Sequence, residues 1–205
     1  MIFNIYSPDF SLQNSSDLSL KEKNFHLTRT ALKNCLRQFA PQRRWDNMEQ
    51  LKIINHHFLQ QDGELRVSLS HTKEVGAALL CHCNEAESVG IDIEYSHRPI
   101  SYRAVNYFKN PKDKWNYQSK ENILWAWSIK EAAFKALSPL LEKNMKKPLL
   151  LKHIWIEEPY FGVAFHENPM GKFQKKYDKK LFLNIALAFT GKTFENGYSY
   201  AAWER

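Results

Sequence analysis

Three short stretches carry side chains whose types and spacing could do chemistry. The first is Gly90-Ile91-Asp92-Ile93-Glu94. On a strand, successive side chains alternate faces, so Asp92 and Glu94 share one face while Ile91 and Ile93 take the other. The two acidic Cα atoms would then lie about 6.6 Å apart. Carboxylates that close repel unless a cation sits between them. A hard cation such as Mg²⁺, which takes oxygen ligands, suits the pair. A half-buried strand with an acidic solvent face would read the same way.

The second stretch runs from Trp125 to Leu137 and is apolar nearly all round a helix, the pattern of a buried helix. Yet Lys130, Glu131 and Lys135 fall within one sector of about 140°. Charges on a buried helix face solvent, a partner or a site. The plain alternative is a Glu131–Lys135 pair at i,i+4. The third stretch, Ser68-Leu69-Ser70-His71-Thr72, ends a predicted strand. Hydroxyls, an imidazole and backbone N–H groups together can hold phosphate. No Gly-x-Ser-x-Gly elbow surrounds either serine, so no hydrolase triad is indicated.

The elements that must position these residues follow from periodicity. Ile2–Tyr6 reads as a strand, and residues 28–39 read as a helix ended by Pro41. Strands are expected at 51–58, 65–71, 75–83 and 88–94, with a hairpin turn at Asp62-Gly63. A short helix is expected at 100–108 and a longer one at 121–137, ended by Ser138-Pro139. Strands are expected again at 150–157, 162–166, 180–188 and 199–203, with the basic stretch 172–180 as a turn. Helices followed by antiparallel strands, twice over, indicate an α+β fold. The expected domains are two similar lobes, residues 1–95 and 96–205.

The chain's 205 residues suit one domain or two small fused halves. With 43% hydrophobic and 14% aromatic residues it can fill a core and is not disordered. Neither a signal segment nor a run long enough to span a bilayer is visible, so a soluble, cytoplasmic protein is expected. Three cysteines cannot all pair, and Cys81-His82-Cys83 alternates as a strand would, so all three read as reduced thiols. The 29 Lys+Arg against 22 Asp+Glu give +7, which favours an anionic partner.

Taken in order, the three stretches resemble the 4′-phosphopantetheinyl transferase superfamily. That family is marked by Ser-His, then Gly-x-Asp-x-Glu, then Trp-x-x-Lys-Glu-Ala-x-x-Lys. Ser70-His71, Gly90 to Glu94 and Trp127 to Lys135 carry every marked residue. The length and the Ser-His element resemble the two-lobed, surfactin-synthetase-activating type, a pseudo-twofold fold acting as a monomer.

The resemblance implies transfer of phosphopantetheine from coenzyme A to a serine of an apo acyl or peptidyl carrier protein, releasing 3′,5′-ADP. It implies Mg²⁺ held by Asp92, Glu94 and Glu131, with Glu131 also the base toward the carrier serine and Lys135 on the phosphates. It further implies coenzyme A contacts from Arg29, Ser70, His71, Lys130 and Lys135. Lys21, Lys23, Arg43 and Arg44 are further basic candidates. The Gly-Lys-Pro stretch that many relatives carry before Ser-His is missing around Gln61 to Glu64, so either another cation such as Arg66 or Lys73 substitutes or the nucleotide is held differently. An acidic carrier would meet the basic surface, with the aromatic-rich segment after Glu94 (Tyr102, Tyr107, Phe108, Trp115, Tyr117) receiving it; nucleic acid and membrane are not expected partners. A basic nucleic-acid-binding module and a metal-dependent phosphohydrolase are the alternatives in other classes.

Overall fold

The computed structural model describes residues 1–7, 19–39, 41, 53–54, 58–59, 62–141, 148–178 and 180–189. The chain begins with strand β1 (Ile2–Tyr6) and helix α1 (Leu20–Phe39). Strands β2 (Ile53–Ile54), β3 (Phe58–Leu59), β4 (Asp62–His71), β5 (Gly76–His82) and β6 (Ser88–Tyr95) follow. A 3-10 turn (Tyr102–Ala104) then leads into the one-turn helix α2 (Val105–Phe108) and the long helix α3 (Lys120–Leu141). A second 3-10 turn precedes β7 (Ile154–Glu157), β8 (Tyr160–Val163), β9 (Gly171–Asp178) and β10 (Leu181–Ala188). Mixed helix and antiparallel sheet is thus the observed class. Arg43, Arg44 and the strand expected at 199–203 lie outside the described residues.

Two five-stranded antiparallel sheets form, in the orders β1-β5-β4-β3-β2 and β6-β10-β9-β8-β7. In each, the strand that comes first in sequence pairs with the one that comes last. β6 does not close the first sheet. It opens the second, pairing with β10 from Leu181↔Tyr95 to Ala188↔Ser88. The division between sheets therefore follows β5, earlier than the expected seam near residue 96.

Several bounds differ from expectation for local reasons. α1 starts well before residue 28 because Ser19 and Glu22 form a capping box. Glu22 N–H donates to Ser19 Oγ at 3.3 Å, and the Glu22 carboxylate accepts from Ser19 N–H at 2.8 Å. α3 runs through Pro139 to Leu141. A proline in the last turn removes only the one N–H that would have met the Lys135 carbonyl. Asp62-Gly63 opens β4 instead of forming the turn, with Leu59 paired to Asp62. The basic stretch is β9, not a turn. Its lysines lay their chains over apolar neighbours, with Lys175 Nζ 4.9 Å from the Trp115 ring and Lys176 Nζ 4.5 Å from the Phe3 ring.

Alternation along the strands sorts the core into three layers of contact. Ala78 and Leu80 of β5, with Leu65 and Val67 of β4, meet Ala31, Leu32, Cys35 and Leu36 of α1. Ala77, Leu79 and Cys81 point the other way and meet Val89, Ile91 and Ile93 of β6 and the odd-numbered leucines and Ile185 of β10. The opposite face of the second sheet packs on Ala126, Ile129, Ala132, Ala133 and Ala136 of α3. The order is helix, sheet, sheet, helix.

The small residues of α3 and Gly90 set how closely that last pair approaches. A Cβ on Gly90 would fall 1.9 Å from the Ala132 carbonyl oxygen. Gly90, Asp92 and Glu94 share the face turned to α3, so the glycine lets the helix backbone reach the strand on which the carboxylates stand. Gly90→Ala should therefore force α3 outward and destabilise the protein by about 1–3 kcal/mol or more, read as a lower denaturant midpoint. An unchanged midpoint would contradict this packing.

Candidate active site

Among the described residues β6 is an edge strand, and its outer edge is met by side chains. Ile91 N–H donates to Ser68 Oγ at 3.1 Å and Ile93 N–H to Ser70 Oγ at 3.3 Å. Arg66 Nε donates to the Glu87 carbonyl at 2.9 Å. Arg66, Ser68 and Ser70 lie on one face of β4, so alternation alone delivers this ladder. From the other side, Lys135 Nζ donates to the Ile91 carbonyl at 2.9 Å.

Asp92 lies where these contacts converge, only 6% exposed. Its Oδ1 accepts from Ser70 Oγ at 3.0 Å and from Lys135 Nζ at 2.8 Å. Its Oδ2 accepts from Ser128 Oγ at 2.8 Å. One buried carboxylate thus joins β4, β6 and α3. The mutual repulsion expected of Asp92 and Glu94 is relieved by separate partners, since Glu94 is paired with Arg98 four residues on.

Glu131 is half-buried on α3. Burial raises its pKa above the ordinary 4.5, the Asp92 charge pushes it further, and Lys135 and Arg98 oppose the rise. Five charged groups, Asp92, Glu94, Arg98, Glu131 and Lys135, therefore share one electrostatic neighbourhood.

Other sequence candidates fall elsewhere. Lys130 does not join the cluster. It is fully buried, and its three N–H bonds go to Asp113 Oδ2 (2.8 Å), the Phe108 carbonyl (2.8 Å) and the Ile154 carbonyl (2.7 Å). Burial lowers its pKa to about 8, opposed by Asp113. Asp113 also accepts from Tyr117 OH and Ile156 N–H. This pair pins the 109–117 loop and β7 to α3; removing one member of such a pair costs about 3–5 kcal/mol. Lys130 and Glu131 are neighbours about 100° apart on a helix. That separates an inward lysine from an outward glutamate.

Ser70 is likewise a bracket. Its single proton goes to Asp92 and its oxygen accepts from Ile93 N–H and Lys135, which fills a hydroxyl's capacity. His71, the next residue, is exposed at the end of β4. Gly76 pairs with His71, and a Cβ there would fall 2.8 Å from Thr28 N. That close approach brings the adjoining Arg29 to the same end of β4. Arg29 Nε and Nη1 are buried with no hydrogen-bond partner among the described residues. Its guanidinium lies over the Phe25 ring at 5.0 Å, and burial lowers its pKa. Arg66 is committed to the Glu87 and Gly63 carbonyls. Lys73 is exposed in the following turn. Sequence reading missed Asn184, the lone polar side chain in the buried strand LFLNIALA, which donates to Ser128 Oγ at 2.8 Å. A polar residue inside a wholly apolar strand was the available signal.

Asp92, Glu94 and Glu131 offer only hard oxygen donors. The Glu131 pKa is raised first by burial and then by the Asp92 charge, and a cation beside it would oppose both. The donor chemistry therefore fits Mg²⁺. Among the described residues no three His, Cys, Asp or Glu side chains are gathered as a metal cluster. Lys135 and Arg98 instead hold Asp92 and Glu94.

Residues 88–181 match the family model of the 4′-phosphopantetheinyl transferase superfamily. The match points to phosphopantetheine transfer. It spans β6 through α3 to the start of β10, just under half the chain, and includes Asp92, Glu94, Glu131 and Lys135. Arg29, Ser70 and His71 lie outside it. No curated protein matches the chain. No helix among the described residues is long and apolar enough to cross a membrane.

The raised Glu131 pKa has a consequence for stability. The folded protein holds that proton to higher pH than the unfolded chain does. The group's relative stabilisation is complete below the ordinary value and is lost as pH rises through the raised one. Glu131→Gln keeps the neutral form. In EDTA-containing buffer it should raise the melting temperature more at neutral pH than in mild acid. An equal shift at both would contradict the assignment.

Proposed function

We propose that this protein is a Mg²⁺-dependent 4′-phosphopantetheinyl transferase of the two-lobed, surfactin-synthetase-activating type. The observation that carries the reading is the convergence of Asp92, Glu131 and Lys135, within the matched stretch, on the edge of β6. Coenzyme A brings a diphosphate and a 3′-phosphate. Arg29, two of whose guanidinium nitrogens are buried with no partner among the described residues, and the exposed His71 would supply cationic or hydrogen-bonding contacts at one end of β4.

In this reading Asp92, Glu94 and Glu131 would hold Mg²⁺, which would neutralise charge on the diphosphate as it develops. The carrier serine oxygen attacks the phosphorus bearing the pantetheine arm. The P–O bond to the other phosphate breaks, and 3′,5′-ADP leaves. Glu131 takes the serine proton as general base. Lys135 is 28% exposed and exchanges one contact for an oxygen of the leaving phosphate. Positioning and charge account for most of the rate in such phosphoryl transfers.

An acidic carrier protein is the proposed acceptor. Of the aromatic residues expected to receive it, Tyr102 and Tyr107 are 54% and 79% exposed. Phe108 is buried, while Trp115 Nε1 donates to the Asn122 carbonyl and Tyr117 OH to Asp113. The proposed landing surface therefore reduces to the exposed Tyr107 and to Tyr102, which lines one shallow depression with Ile100, Arg103 and Lys120.

The test is mass spectrometry of apo carrier proteins incubated with this protein, coenzyme A and Mg²⁺, with and without EDTA. The expected result is a gain of one phosphopantetheine group that EDTA abolishes. Lys135→Ala should lower turnover more than coenzyme A affinity. No gain on fatty-acid or peptide-synthetase carriers, with coenzyme A still bound, would overturn the transferase reading.

A further inference from the structure

Asn184 sits on β10 directly across from Asp92. It is fully buried, as is Ser128, the residue it contacts. A buried amide among leucines, isoleucine and alanines is unfavourable unless its polar atoms are satisfied. Here only half is. Nδ2 donates to Ser128 Oγ, while Oδ1 has no partner among the described residues. The strand therefore keeps an amide that the fold does not fully satisfy.

The direction of the hydrogen bonds fixes what the amide does. A serine hydroxyl has one proton and can accept in return. With Nδ2–H pointing at Ser128 Oγ, the serine proton is released to Asp92 Oδ2, 2.8 Å away. Turning the amide over would place Oδ1 on Ser128 and draw that proton back. Ser128 Oγ and Asp92 Oδ2 would then face each other as two acceptors. The amide orientation follows from this network and not from its size or shape.

We propose that Asn184 is a positioning residue that acts through Ser128 to set the rotation of the Asp92 carboxylate. With Oδ2 tethered on the α3 side, Oδ1 is turned toward Ser70 and Lys135 at the free edge of β6. No other polar side chain of β10 can serve, since every other residue of that strand is apolar. The inference rests on the transferase reading only for its kinetic arm.

Two experiments on the full-length chain test it. The first records the Asn184 side-chain amide by ¹⁵N–¹H NMR in wild type and in Ser128→Ala, whose smaller side chain is tolerated by volume. A downfield, exchange-protected proton in wild type that moves upfield and exchanges in Ser128→Ala is expected. An unchanged signal would overturn the link, whether or not the protein is a transferase. The second measures transfer by Asn184→Leu, Ser128→Ala and the double variant. Each single variant should lower kcat about tenfold, with the KM for coenzyme A within about twofold, as loss of an outer partner of a site carboxylate typically does. The double should be no worse than Ser128→Ala alone. Losses that multiply, or a wild-type kcat in Asn184→Leu, would overturn the proposal. If Asn184→Leu does not give a cooperative melt, Ser128→Ala carries the kinetic arm alone, and wild-type turnover there would overturn it. A wild type without transfer activity would sink the transferase reading and leave the NMR result to decide this one.

Discussion

A single buried carboxylate organises this protein. Asp92 stands on the edge strand of one sheet and is reached by a serine from the other sheet and by a serine and a lysine from α3. Burying an ionised carboxylate is expensive unless it is fully paired. The three donors therefore have to be where they are. Ser70 can reach only if β4 passes along the free edge of β6, and Ser128 and Lys135 can reach only if α3 lies close against the strand. Gly90 permits that closeness, and Ser68 keeps β4 in register by taking the Ile91 N–H. The requirement to satisfy one charge thus connects both sheets to the long helix.

The same helix holds a second buried charge with a different purpose. Lys130 is sealed against Asp113 and two carbonyls, and no face of it reaches solvent. It fixes the loop and strand behind the site. Lys135, a little over one turn later, is partly exposed and lies against Asp92. Glu131 stands between the two in sequence, and among the described residues no cation is hydrogen-bonded to it; burial and the Asp92 charge raise its pKa.

Much of this was legible in sequence. The acidic pair on one face of a strand, the charged sector of an otherwise apolar helix and the serine-rich end of β4 were all visible by periodicity, and β1 was placed to the residue. What was not legible depended on tertiary contact. Lys130 and Lys135 look alike on a helical wheel, and only the loop carrying Asp113 makes one of them structural. Ser70 reads as a phosphate contact until β6 is found beside it. The lysines of β9 read as a turn because their cover, Trp115 and Phe3, comes from distant parts of the chain. The start of α1 was available in Ser19 and Glu22 as a capping box and was overlooked, because the apolar repeat becomes clear only a turn or two later.

The energetic coupling between Asp92 and Lys135 is the interaction that ties β6 to α3. A double-mutant cycle of Asp92→Asn and Lys135→Met, followed by denaturant unfolding in the presence of EDTA, measures it without recourse to substrate. The geometry predicts a coupling of about 1 kcal/mol or more, with the double variant more stable than the sum of the single losses allows. Additivity within about 0.5 kcal/mol would show that the carboxylate and the lysine do not depend on each other. That result would contradict Asp92 as the group that joins β4, β6 and α3.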